Sequence, residues 1–415
     1  MQIDIFFLGL LVIYGVLFLV SENRAGLSVR NIISGLALQM AFAGFCLSLD
    51  SLRSAFALIG RGVMLVQNAS LQGAQFVFGY LGGGAMPFEV KGNTFIFFFQ
   101  ALPTVFVIGA LSALFFHYGI LQKIVSVFAK IFQKTLGLRG ALALCSGAKM
   151  FLGQTDAPLV IRPYLSHMTR SEMCAIMSMG MATTSVVVMG LYMVILEPFI
   201  PNVMMHLITS TVMAVPISLS FARIVIPASS EERDDKDVVI KVPTSSAMEA
   251  ISSGMYQAKD IVVGISLSLI VFIAFMFLLN AIIGNVFPGW SLERVAGLIF
   301  APLACLLGFS WENAMDAGKV LGFKCIFNEI FAFNELVNLT HFTMRDRVVL
   351  LYAVCGFANI ASVGIVVAAW NAFVPKVKKQ IPGLVTKALL IGFLASFANA
   401  ITVRLVLDIL DVFAL

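Results

Sequence analysis

The sequence predicts an all-α polytopic membrane protein, and three observations support this fold class. Only 12% of the 415 residues are charged, against about 25% in typical soluble proteins. Hydrophobic residues make up 60%, and the mean hydropathy is +0.98. Two polar interruptions, around Asp156 and Glu329, lie far apart in an otherwise apolar chain. We therefore expect a bundle of transmembrane helices with two re-entrant helical hairpins.

The composition argues against several classes of function. The net charge of +5 is more typical of cytoplasmic loops than of a nucleic-acid surface, so we expect no nucleic-acid partner. The six cysteines and four histidines show no metal-ligand spacing, so we expect neither a metal site nor a cofactor. No nucleophile–base constellation indicates an enzyme. Asp4 precedes the first apolar run and no small-residue cleavage site follows it, which favours a retained span over a signal peptide.

Residues 1–94 are interpreted as N-terminal scaffold spans. Apolar runs over 5–20 and 31–47 predict the first two, while 50–93 is a glycine-rich, mixed stretch without a convincing span.

A first repeat is expected over 95–227 and opens with a strong span over 95–118, which Pro103 can bend. Residues 120–134 place lysines and apolar side chains on opposite helical faces, as in a helix that lies in the membrane interface.

The first hairpin is predicted around a polar tip at 153–158. Limbs over 139–150 and up to Leu165 are too short to cross a hydrocarbon core of about 30 Å, which needs roughly 20 helical residues. At membrane depth, open backbone and ionisable groups favour a substrate or ion site. A surface loop between two spans is the alternative, and the second break at 327–330 argues against it.

The span at 172–196 has hydroxyl side chains at its centre, Thr183-Thr184-Ser185. Either the helix is discontinuous there, or the hydroxyls bond back to their own helix. A further span is expected over 204–226, followed by a cytoplasmic linker over 228–260 with a charge run at 231–237.

Residues 261–415 repeat this order of elements. We expect a span over 261–287 and an interfacial helix over 292–308. Two hairpin limbs, 312–327 and 330–336, flank Asn328-Glu329, and a broken span over 348–369 and a last span over 384–410 follow. Three spans separate the two hairpins, so the second repeat should be inverted, and paired interrupted segments indicate a transporter binding site. If the amino terminus lies outside, more basic residues face the cytoplasm than the outside, as membrane proteins prefer. Lys319 and Lys324 are among the basic residues predicted to lie outside.

The polar residues at the two breaks favour a neutral solute rich in hydroxyl and amide groups. Carboxylates accept hydrogen bonds from hydroxyls, and amide side chains both donate and accept. An anionic substrate would call for a central arginine, and the breaks contain none.

Three motifs carry a resemblance to a known family. Gly153-Gln154-Thr155-Asp156-Ala157-Pro158, Asn328-Glu329 and Cys355-Gly356-Phe357-Ala358-Asn359 resemble the signature segments of the concentrative nucleoside transporters, and the likeness covers nearly the whole chain. It implies a homotrimer in the bacterial inner membrane, with eight transmembrane helices and two re-entrant hairpins per subunit. A mobile inverted-repeat transport domain would carry nucleosides such as uridine or adenosine past a scaffold domain, as an elevator does.

The resemblance also implies roles for single residues. Those expected near the nucleobase are Gln154, Thr155, Asp156 and Val188. Those expected at the ribose hydroxyls are Glu329, Asn359, Ser362 and the neighbouring Phe357.

This chain departs from the family pattern at three positions. Asp156 replaces a glutamate, Ile330 replaces a phenylalanine, and Lys149 stands where sodium-coupled members have asparagine. The resemblance assigns the remaining sodium-site oxygens to Leu152, Thr183 and Thr184.

Lys149 decides the expected coupling ion. An ammonium has three donors and no acceptor, so it repels sodium instead of ligating it, and we expect proton coupling. If Lys149 instead snorkels to the interface, a sodium site stays intact. A transporter of another neutral solute such as a nucleobase, a channel and a membrane enzyme are the rival functions.

Overall fold

The computed structural model describes residues 2–89, 94–138, 140–228 and 244–413. All regular structure in these ranges is helical, which confirms the predicted class. The charge run at 231–237 and Arg139, at the start of the predicted hairpin limb, lie outside the described residues.

The N-terminal part contains three helices, α1 (Gln2–Val20), α2 (Val29–Ser48) and α3 (Asp50–Phe78). The first two match the predicted spans. No helix was predicted over 50–93, where α3 runs for 29 residues, but α3 is not among the helices apolar enough to cross a membrane, in keeping with a stretch that has no convincing span. Arginine, glutamine and asparagine recur along α3, so its mean hydropathy is low although its helical amphipathicity is pronounced.

The first repeat begins with α4 and α5, which together form one candidate span over Phe97–His117, as predicted, with a short turn at residues 101–102. Pro103 is the first residue of α5, where its missing N–H costs no helical hydrogen bond. The elements in chain order are α4 (Phe97–Gln100), α5 (Pro103–His117), α6 (Ile120–Leu136), α7 (Gly140–Ala148), α8 (Asp156–Val160), α9 (Arg162–Leu165), α10 (Arg170–Ala182), α11 (Val186–Leu196) and α12 (Val203–Val225).

The second half has the same order of elements, ending in a long last helix. These are α13 (Ala247–Val286), α14 (Leu292–Leu306), α15 (Trp311–Ile326), α16 (Glu329–Asn338), α17 (Met344–Val354), α18 (Ile360–Phe373) and α19 (Ile381–Phe413). Helix α13 begins inside the stretch interpreted as linker, because the Ser246 hydroxyl caps it by accepting from the Glu249 N–H at 3.2 Å.

Six helices in the described ranges are long and apolar enough to cross a membrane, or seven if α14 and α15, bent by 113°, count as one. Three of the six lie between the hairpins, Arg170–Leu196, Val203–Val225 and Ala247–Val286, and the inversion of the second repeat stays a prediction. Helices α1 and α18 are apolar but shorter.

Helix α12 lies at the centre of the molecule and α13 at its edge. The most apolar stretch of α12 is 89% buried, whereas that of α13 is only 6% buried although it has the highest hydropathy among the six candidate spans of the described residues. The functional elements pack around the buried centre, and the apolar surface of α13 faces outward.

Candidate functional site

The tip of the first hairpin rests against the break between α10 and α11. The Val186 N–H donates to the Phe151 carbonyl at 3.2 Å, which joins the hairpin to the start of α11. A Cβ built on Gly180 would lie 3.4 Å from the Gln154 Cβ, so the tip packs closely on α10. The chain then turns into α8, where the Asp156 N–H donates to the Gly153 carbonyl at 3.3 Å.

The tip of the second hairpin is built by helix capping. Asn328 is the N-cap of α16, and its side-chain oxygen accepts from the Phe331 N–H at 3.1 Å. This cap places Glu329 in the first turn of α16, where the carboxylate is buried. The Tyr192 hydroxyl donates to Glu329 Oε1 at 2.5 Å, and Asn359 Nδ2 donates to Oε2 at 3.2 Å.

The break between α17 and α18 lies against the break between α10 and α11. Gly356 has φ +130°, a conformation that favours glycine, and a Cβ there would lie 2.7 Å from the Ala182 carbonyl oxygen. Asn359 caps α18, with its Oδ1 accepting from the Ser362 N–H at 2.8 Å. The two interrupted helices therefore meet at their unwound segments.

Three of the residues predicted to bind the ribose hydroxyls, Glu329, Asn359 and Ser362, are linked by consecutive hydrogen bonds. Gln154, Thr155 and Asp156 lie together at the other tip and are half-buried. Val188 is buried in α11. The structure places these residues at the hairpin tips and helix breaks, and their roles toward a substrate stay predictions.

Gln154 offers an unused acceptor. Its Oε1 is buried and has no hydrogen-bond partner among the residues that the structure describes. Such a group is costly unless something else satisfies it, so it favours a bound polar ligand at this tip.

Lys149 links the two halves of the site. Only 1% of the residue is exposed, its Nζ donates to the Leu152 carbonyl at 3.0 Å, and it lies 5.8 Å from the centre of the Phe357 ring. The alternative in which Lys149 snorkels to the interface is therefore wrong for this structure.

Of the oxygens assigned to a sodium site, only that of Leu152 contacts Lys149. The Thr183 hydroxyl donates back to the Met179 carbonyl at 2.8 Å, and the Thr184 hydroxyl pairs with Thr211 at 3.1 Å. The sequence predicted either a break in this span or hydroxyls bonded back to their own helix. Both occur, because the helix is interrupted between α10 and α11 and the Thr183 hydroxyl bonds back to α10.

Tyr192 was not predicted as a site residue, and the predicted position of Lys324 was wrong. Tyr192 lies four residues after Val188, on the same face of α11, and that spacing was the available signal. Lys324 was counted among the outer basic residues, but it is 0% exposed within α15. Its position five residues before Glu329, as Lys149 stands before Gln154, could have identified it.

The comparisons with known proteins agree with this arrangement. The matching family models are "Na+ dependent nucleoside transporter N-terminus" over 8–81, "Nucleoside recognition" over 98–199 and "Na+ dependent nucleoside transporter C-terminus" over 206–404.

Two bacterial relatives match over nearly their full lengths. The chain is 30% identical to the putative nucleoside permease NupX of Escherichia coli, over 95% of this chain and 96% of that protein. It is 28% identical to the nucleoside permease NupC of Helicobacter pylori, over 94% and 95%.

A solved structure shows the same fold. The transporter CNTnw, in an inward-facing substrate-bound state, superposes with a TM-score of 0.89 at 28% identity, over 99% of both chains. Fold, matching family models and full-length relatives agree, and the chain belongs to the family of concentrative nucleoside transporters.

Proposed function

We propose that this protein takes up nucleosides across the bacterial inner membrane as a cation-coupled, elevator-type symporter. The observation that carries the proposal is the chain Tyr192–Glu329–Asn359–Ser362, which joins the second hairpin to both interrupted helices. It holds a buried carboxylate at the point where the breaks meet. A carboxylate held in this way keeps lone pairs free for the hydroxyls of a sugar.

The two hairpin tips bind different parts of the substrate. Glu329, Asn359 and Ser362 hold the ribose hydroxyls, with Phe357 beside them. Gln154, Thr155 and Asp156 face the nucleobase, with Val188 packing near it, and the unpartnered Gln154 Oε1 accepts from a base N–H. A site built to bond hydroxyls discriminates strongly, because an analogue without them leaves buried groups unpaired.

Protons are the coupling ion in this proposal. The Lys149 ammonium is buried and engages the Leu152 carbonyl, one of the oxygens that a sodium ion would need. A second cation at that position would meet direct repulsion in a site of low dielectric constant. Lys149 thus replaces the sodium ion as a tethered cation.

The protein works as a homotrimer in the lipid bilayer. Helix α13 has 40 residues and exposes most of its apolar side chains, a surface suited to lipid and to neighbouring subunits.

Competition in proteoliposomes tests the substrate class. Uptake of radiolabelled uridine should saturate, and excess unlabelled uridine or adenosine should abolish it, while free uracil should have little effect. Inhibition by uracil as strong as by uridine would favour a nucleobase transporter. Uridine flux that never saturates and never exceeds equilibration would indicate a channel.

A further inference from the structure

Lys324 is a fully buried cation that the proposed mechanism leaves unused. It is 0% exposed in the last turn of α15, and its Nζ has no hydrogen-bond partner among the described residues. The ammonium lies 4.9 Å from the centre of the Phe393 ring of α19. A cation–π contact only partly offsets the cost of burying an ammonium, so a further source of negative charge is needed.

The internal repeat supplies a counterpart. Lys149 stands five residues before Gln154 at the first tip, and Lys324 stands five residues before Glu329 at the second. Both are buried at the end of the first hairpin limb, and both lie over a phenylalanine ring. A buried lysine over a phenylalanine ring therefore occurs once in each half of the chain.

Each lysine acts on the carboxylate of its own hairpin. Lys149 interacts electrostatically with Asp156, and Lys324 with Glu329. The ammonium of Lys324 is not hydrogen-bonded to Glu329, whose two oxygens accept from Tyr192 and Asn359. In a medium of low dielectric constant the attraction acts without contact, and the carboxylate keeps its remaining lone pairs for a ligand.

We propose that Lys324 is a positioning residue of the substrate site, the fixed counter-charge that keeps Glu329 a carboxylate while it accepts ribose hydroxyls. Together with Lys149 and Asp156 it balances the two hairpins, two cations against two anions, so that the site carries a neutral substrate without a bound metal cation. This inference rests on the proposed role of Glu329 in binding nucleosides.

A double-mutant cycle on the substrate-free protein tests the charge pairing. We expect Lys324→Met and Glu329→Gln each to lower the apparent Tm in detergent, because each leaves one buried charge uncompensated. The double variant should recover part of the loss, so that its Tm lies above that of Lys324→Met. Additive losses would overturn the pairing.

A matched control comes from the same helix. Lys319 of α15 forms its own ion pair with Glu335 at 2.7 Å. Combining Lys319→Met with Glu329→Gln should therefore give additive losses. If Lys324→Met alone fails to accumulate, recovery in the double variant supports the pairing and failure of both variants overturns it.

Transport kinetics test the positioning role separately. Lys324→Met should raise the uridine KM by about ten-fold, the size expected for a weakened hydrogen bond to a charged acceptor. For 2′,3′-dideoxyuridine, which lacks the 2′ and 3′ hydroxyls, the KM should change little. Equal losses for both substrates would show a merely structural lysine. The melting cycle needs no substrate, so it stands even if nucleosides prove not to be transported.

Discussion

At the scale of single residues, the proposed ribose site depends on Glu329, whose carboxylate accepts hydrogen bonds from two other helices. Glu329→Gln keeps the volume of the side chain but replaces one acceptor oxygen by a donor that faces the donors of Tyr192 and Asn359. We expect uridine uptake to fall at least about ten-fold. Initial uptake rates in proteoliposomes measure this loss.

The matched control is Glu312→Gln, because Glu312 is exposed at the start of α15. It should transport like the wild type, and both variants should elute from a sizing column at the wild-type position. Wild-type uptake by Glu329→Gln would refute the ribose role.

Tyr192 orients Glu329 through its hydroxyl group. Tyr192→Phe leaves Oε1 without its 2.5 Å donor, and a hydrogen bond to a charged group contributes about 1.5–3 kcal/mol. The uridine KM should rise about ten-fold or more, measured from concentration-dependent uptake. Tyr256→Phe, on an exposed part of α13, is the control and should leave KM unchanged. An unaltered KM in Tyr192→Phe would mean that the hydroxyl does not position the carboxylate.

In the proposed mechanism, Lys149 determines whether sodium stimulates uptake. Lys149→Asn frees the Leu152 carbonyl and adds an amide oxygen, so uptake should become stimulated by sodium. Lys149→Met removes the charge without adding an oxygen, and it should show no such stimulation. Uptake at matched ionic strength in sodium and choline buffers distinguishes them. Equal responses of the two variants would contradict the assigned ion position.

At the scale of elements, hydropathy and helix breakers predicted most of the fold. Long apolar runs predicted α1, α2, α12 and α19, and Thr183-Thr184-Ser185 predicted the break before α11. The hairpin tips followed from polar residues between limbs too short to span a bilayer. These features are local, so a single sequence shows them.

Features that depend on packing between distant segments were not predicted. Helix α3 carries polar residues along much of its length and no apolar run, and α13 begins at Ser246 within a polar stretch. The burial of Lys324 and the contact of Tyr192 with Glu329 require α15, α11 and α16 to be brought together. The spacing of these residues from Val188 and Glu329 marks them as candidates, but their contacts depend on how the distant helices pack.

The break between α17 and α18 packs closely against the break between α10 and α11, and this contact can be tested. Gly356→Ala forces an L side chain into φ +130° and against the Ala182 carbonyl. Such strain costs about 1–3 kcal/mol, so the apparent Tm in detergent and uridine uptake should both fall. Gly364→Ala is the control, since a Cβ at that helical position meets nothing within 4 Å. It should be neutral or slightly stabilising. Equal Tm values for the two variants would contradict the close crossing.

At the scale of the whole molecule, the proposed site lies within the buried part of the bundle, and α13 exposes its apolar surface at the edge. The hairpin tips carry the buried or half-buried charges of Lys149, Lys324, Asp156 and Glu329. A unit whose charges balance internally meets a lower electrostatic barrier when it moves across a bilayer, since an uncompensated charge there is costly. The proposed elevator motion therefore suits a site that needs no metal ion.

The most direct test is radiolabelled uridine uptake into proteoliposomes, with imposed sodium and proton gradients varied independently. We expect an inward proton gradient to drive accumulation above equilibrium, at the same rate whether sodium or choline is present. Accumulation driven by sodium and indifferent to the proton gradient would contradict the assignment of Lys149 as the resident cation.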